Sequence, residues 1–127
     1  MKRIILIFAF VTTAYVHTNA QDVKSTTNYV QITTIESVIS GGAGRSKMII
    51  SKDDSTSEEK DLNNLFSMVG LNFKNIKENE TTILTTLKTY TDDGWKLISV
   101  TPLTLSPGQS SNGIFMTRYL LSKDSKK

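Results

Sequence analysis

No cysteine occurs anywhere in the 127 residues, and the single histidine is His17. The first absence excludes disulfides and thiolate chemistry, so a small domain built from this chain must be held by packing, hydrogen bonds or assembly. The second matters because of where His17 lies. Residues 1–20, MKRIILIFAFVTTAYVHTNA, open with Lys2 and Arg3, continue with an apolar stretch over 4–16 and close on Thr18-Asn19-Ala20, the pattern of a cleaved secretory signal peptide. That stretch is shorter than the roughly 20 residues of a stable membrane span, so no such span is expected. The chain expected after cleavage begins at Gln21, is periplasmic or secreted, and has neither histidine nor cysteine. Ser-His-Asp triads, Cys-His pairs, imidazole acid–base catalysis and the usual zinc or copper ligand sets are thereby excluded. No cofactor and no metal site is expected, and the reading is of a protein that is not an enzyme.

Excess charge of one sign is also lacking. Without Lys2 and Arg3 the chain has thirteen basic against twelve acidic residues, a net charge of +1. The charges are interspersed, so no nucleic-acid partner is expected. Residues 123–127 read as a short basic, solvated tail and 21–28 as a flexible lead-in, which leaves 29–122 as one domain with one core.

Carboxylates are what remains for chemistry. Asp53, Asp54, Glu58, Glu59 and Asp61 cluster in one polar run, and Asp92 and Asp93 are adjacent. A glycosidase needs two carboxyls facing each other across a cleft, and neighbours in a polar loop do not supply that. Neither group has the spacing of a calcium loop. The stretch GGAGRSK, residues 41–47, lacks the order of a phosphate-binding loop and reads as a flexible connection between two strands.

Residues 29–40 are rich in β-branched side chains and predict a strand covered on both faces; 47–51 predict its hairpin partner. Two readings stay open for 57–69. Leu62, Leu65, Phe66 and Val69 have helical spacing, with Thr56 and Glu59 as a capping box and Gly70 as a stop. An extended segment along the sheet edge fits as well, because Asn63 and Asn64 are poor helix formers. A helix is predicted over 80–92, capped by Asn79, with Ile83, Leu84, Leu87 and Tyr90 on its apolar face. Gly94 stops it, a strand follows at once from Trp95 and ends at Pro102, and a last strand spans 113–122. The expected fold is α+β: an antiparallel sheet of about four strands with one main helix packed across it, in the order β-β-α-β-β, with room for an extra short helix.

The run Asp92-Asp93-Gly94-Trp95-Lys96-Leu97-Ile98-Ser99-Val100, preceded by a helix and followed after a loop by Arg118-Tyr119-Leu120, resembles the Gly-Trp signature of a family of small bacterial domains of unknown function, family 4177. The resemblance covers roughly 81–123. Lys96 stands where that family more often has Glu, and the loop around Pro107 is longer. The family has no established activity, so the resemblance implies no catalytic residues. It also resembles small exported proteins of Bacteroidetes, in which Asp-Ser/Thr sites are O-glycosylated; Asp54-Ser55-Thr56 is similar to such a site, with Ser55 as acceptor.

Trp95, placed after a helix-stopping glycine, is expected to pack under Leu84 and Leu87 and to fix the angle between helix and sheet. Trp95, Tyr119, Phe115, Tyr90 and Arg118 are the candidate ligand or interface residues. The expected function is binding or assembly in the cell envelope, with a protein, peptide or glycan partner, or self-association by pairing of an edge strand such as 113–122. The alternatives are a glycan hydrolase drawing on Asp53, Asp54, Glu58, Glu59, Asp92 and Asp93, and a glycan- or peptide-binding accessory domain.

Overall fold

A computed structural model describes residues 26–39, 45–105 and 113–125. The expected signal peptide, most of the lead-in, the glycines at 41–44, the turn at Pro107-Gly108 and the last two residues lie outside the described residues. Within them the chain is α+β. Strands β1 (Thr26–Val38), β2 (Ser46–Lys52) and β3 (Ser57–Leu62) are followed by a small hairpin, β4 (Phe66–Ser67) and β5 (Gly70–Leu71). Helix α1 (Phe73–Asp92) and strands β6 (Lys96–Leu105) and β7 (Gly113–Ser125) complete the fold. Five strands form one sheet in the order β3-β2-β1-β7-β6, and every pairing is antiparallel. Among the described residues no helix is long and apolar enough to cross a membrane.

β-Branched residues at alternate positions make β1 the centre of the sheet. Its even-numbered side chains face the helix. Val30 and Ile32 are fully buried there, and their register partners Ile50, Leu121 and Tyr119 extend the same face across β2 and β7. With Met48, Leu62 and Ile83 they make the core. Roughly 1.5–3 kcal/mol accompanies burial of each such aliphatic side chain, which makes this face the main source of stability.

The segment left open between helix and strand is extended. Ser57–Leu62 is edge strand β3, and only Leu62 of its six residues is buried. A charged strand with so little to bury gains from backbone pairing to β2 rather than from an amphipathic face. Thr56 is therefore no helix cap. It closes the β2–β3 turn, in which the Lys52 amide donates to the Thr56 carbonyl and Ser55 sits at φ +68°.

The helix is longer than the spacing predicted. Its N-cap is Asn72, whose side chain accepts from the Asn75 amide at 3.2 Å, and Asn79 lies inside the helix instead of capping it. The boundary of the strand after the helix also differs: β6 runs from Lys96 through Pro102 to Leu105, which is tolerated because β6 is an edge strand whose outer side needs no donor. The expected edge, 113–122, is interior, paired with β1 on one side and β6 on the other. β1 begins inside the expected lead-in, and β7 continues to Ser125, with Lys123 held against Asp93 at 3.1 Å.

Candidate functional site

Two arrangements bring the singled-out side chains together, a corner at the end of α1 and a groove beside it. At the corner the chain must pass from helix to strand within three residues. Gly94 takes φ +86°, and its amide donates to the Thr91 carbonyl (3.0 Å) while the Trp95 amide donates to the Tyr90 carbonyl (3.1 Å). These are the two bonds of a Schellman cap, whose usual apolar contact joins the residue after the glycine to the one five positions earlier. Here that contact is aromatic: the rings of Trp95 and Tyr90 meet edge to face with centroids 5.9 Å apart. The indole N–H donates to Asp93 Oδ2 (3.2 Å), the Lys123 ammonium donates to the same oxygen, and that ammonium stands 6.0 Å from the indole centroid. Hydrogen bonds from Lys123 and then from Trp95 hold the Asp93 carboxyl below its ordinary pKa.

Trp95 is thus a half-buried fastener that ties the helix end to β7. It packs against the core rim together with Tyr90 and Leu87, while Leu84 is 65% exposed and stands outside that rim.

The groove opens where α1 crosses β1 and β7. Leu65, Ile76, Ile83, Leu84 and Leu87 form its apolar walls, and Glu36, Glu80 and Tyr119 supply its polar groups, around a volume of about 480 Å3. Glu36 is fixed by Asn79. The Asn79 carboxamide is 1% exposed and makes three bonds: Nδ2 donates to Glu36 Oε1 (3.0 Å) and to the Asn63 carbonyl (2.8 Å), and Oδ1 accepts from the Asn63 amide (2.8 Å). One buried side chain thereby joins helix, sheet and the β3–β4 connection. Burial, and secondarily the Glu36 charge, push the Tyr119 phenol above its ordinary pKa, so it stays protonated as a hydrogen-bond donor. Phe115 is the register partner of Glu36 and shares its face of the sheet.

Of the five candidate ligand residues, then, Tyr119 lines the groove, Phe115 adjoins Glu36 in the sheet, and Tyr90 and Trp95 belong to the corner. Arg118 is on the opposite face of the sheet, on the same side as its partner Thr33. Nothing in the sequence distinguishes Glu36 and Glu80 from ordinary polar positions in a strand and a helix, and Asn79, expected as a helix cap, is instead the buried link between helix and sheet.

The carboxylates that stood out are spread over exposed positions in structural roles. Asp53 accepts from the Tyr29 amide and Asp54 from the Thr56 amide, while Glu58 pairs with Lys60, Glu59 with Lys47 and Asp92 with Lys88. Ser55 is exposed at the tip of the β2–β3 turn. Among the described residues no three His, Cys, Asp or Glu side chains gather in a way that could hold a metal ion. No protein-family model, no curated protein and no solved structure matches the chain.

Proposed function

We propose that this chain is an exported, non-catalytic binding domain that takes a ligand with an apolar body and a cationic head into the groove between α1 and the sheet. One observation carries the reading. The groove has five aliphatic walls, and among the described residues its only charged lining groups are the carboxylates Glu36 and Glu80, with no lysine or arginine to neutralise them. Its volume lies in the range of about 300–1,000 Å3 typical of small-ligand sites. An alkyl chain would replace water along Ile76, Ile83 and Leu87, while an ammonium or guanidinium group would donate to the carboxylates and to the Tyr119 hydroxyl oxygen. A lysine or arginine side chain of a peptide presents the same chemistry. The reading treats the Gly-Trp corner as scaffold and keeps the likeness to family 4177 as a likeness of that scaffold.

The test uses two probes of equal length and opposite charge, n-octylammonium and n-octanoate, titrated into isotopically labelled protein. Binding of the ammonium alone, with shifts concentrated at Ile83, Leu87 and Tyr119, is the expected result. Glu80→Gln should weaken it about three- to tenfold, because an exposed charge pair contributes on the order of 1 kcal/mol. Equal response to both probes, or shifts that avoid the groove, would remove the reading. Export is checked separately by fractionating cells and finding the amino terminus of the mature protein at Gln21.

A further inference from the structure

The face of the sheet turned away from α1 is covered by none of the described residues. Its rows follow directly from the strand registers. One runs Asp61, Lys47, Ile35, Met116, Leu103, and the next runs Glu59, Ile49, Thr33, Arg118, Thr101. Ile35, Ile49, Met116 and Leu120 are only half-buried in the middle of this face, and Leu103 and Leu105 are 44% and 64% exposed at its margin. On the helix side Val30, Ile32, Met48, Ile50 and Leu121 of the same central strands are at most 2% exposed.

We propose that this face is the contact between two copies of the chain, packed sheet on sheet about a two-fold axis parallel to the strands. The edges are poorer templates for pairing. β3 presents the charged run Ser57-Glu58-Glu59-Lys60-Asp61, and β6 is interrupted by the register shift between Leu97 and Ser99 and by Pro102, which has no N–H to give a neighbouring strand. The area is sufficient. Five strands at about 4.8 Å and six residues at about 3.4 Å cover roughly 500 Å2, so two copies bury roughly 1,000 Å2, where specific interfaces begin.

Charge decides the orientation. Rotation about an axis parallel to the strands leaves each row at its own height and exchanges its ends. Glu59 and Arg118 occupy the same row, Glu59 at the β3 margin and Arg118 toward the β6 margin. The rotation therefore brings Arg118 of each copy toward Glu59 of the other, twice per dimer. Arg118 makes no ion pair with the described residues of its own chain, and Glu59, although paired with Lys47, keeps more than half of its side chain exposed for a second cation. Aligned sheet packing sets apolar middle against apolar middle, and in a two-fold contact a single chain supplies both the cationic and the anionic half of the rim.

Sedimentation equilibrium of the purified protein over a wide concentration range tests the proposal, with circular dichroism on each variant. A monomer–dimer equilibrium is expected. Arg118→Glu should weaken it tenfold or more, and Arg118→Glu combined with Glu59→Arg should restore it. Leu103→Lys, at an exposed margin where folding is not at risk, should weaken it as well. A monomer at every concentration overturns the proposal. So does a dimer indifferent to Leu103→Lys and to the charge exchange, which would point to edge pairing instead.

Discussion

Gly94 is held at φ +86°, and a Cβ added there would meet nothing closer than Lys123 Cε at 3.9 Å. Space is available, so the backbone angle alone penalises a side chain, by about 1–2 kcal/mol in the left-handed region. Gly94→Ala should lower the stability by that amount in a denaturant titration, with the Trp95 emission spectrum unchanged in the folded state. Ser55 is the mirror case. It holds φ +68° in the position of a three-residue hairpin loop that glycine prefers, so Ser55→Gly should raise the unfolding free energy by about 1 kcal/mol. Asp93 adds a dependence on pH. Its carboxyl titrates below the unfolded value because Lys123 and Trp95 favour the charged form, so its contribution is present above the unfolded pKa and is lost as pH falls through the folded one. Below about pH 4 the melting temperature of the wild type should therefore fall more steeply than that of Asp93→Asn, as followed by Trp95 fluorescence.

Asparagines govern the helix as an element. Asn72 caps it, Asn75 Nδ2 donates to the Asn64 carbonyl, and Asn79 spans from Asn63 to Glu36. Asn79→Ala removes three bonds from a buried group, and about 2–4 kcal/mol of destabilisation is expected, measured by urea unfolding. Loss of less than 1 kcal/mol would mean that water replaces the carboxamide. The same residues explain what could be read from the sequence and what could not. The carboxyl end of α1 was legible because Gly94 follows an apolar stripe, and β7 because Gly113 to Ser122 alternates. The amino end of α1 was not, since Phe73 is 68% exposed and the asparagines look like loop residues until their partners are known. β3 was ambiguous because its polar run carries little periodicity in either sense, and backbone pairing decided it. The groove was illegible for another reason: Glu36, Glu80 and Tyr119 are far apart in the chain, and only the β1–β7 register and the helix crossing assemble them.

At the scale of the molecule the sheet is protected unevenly. β1 has neighbours on both sides and a buried helix-side face, whereas all ten residues of β6 are exposed. Native-state hydrogen exchange should find the slowest amides in β1 and the β1-facing positions of β7, and the fastest strand amides on the outer side of β6. Protection of those outer amides would show a strand paired there. The β1–β7 pairing has a further consequence in time rather than in space. Thr26 is opposite Ser125 and Val38 is opposite Gly113, so the sheet's central ladder joins the first described strand to the last over thirteen residues of each. Closing that ladder requires the most distant contacts in the fold, which makes folding slow relative to a chain of local contacts. Until β7 has been synthesised, β1 lacks its longest partner and β6 lacks its only one. A nascent chain with this topology can form the β1–β2–β3 hairpins early but keeps its central ladder open until β7 is free to pair.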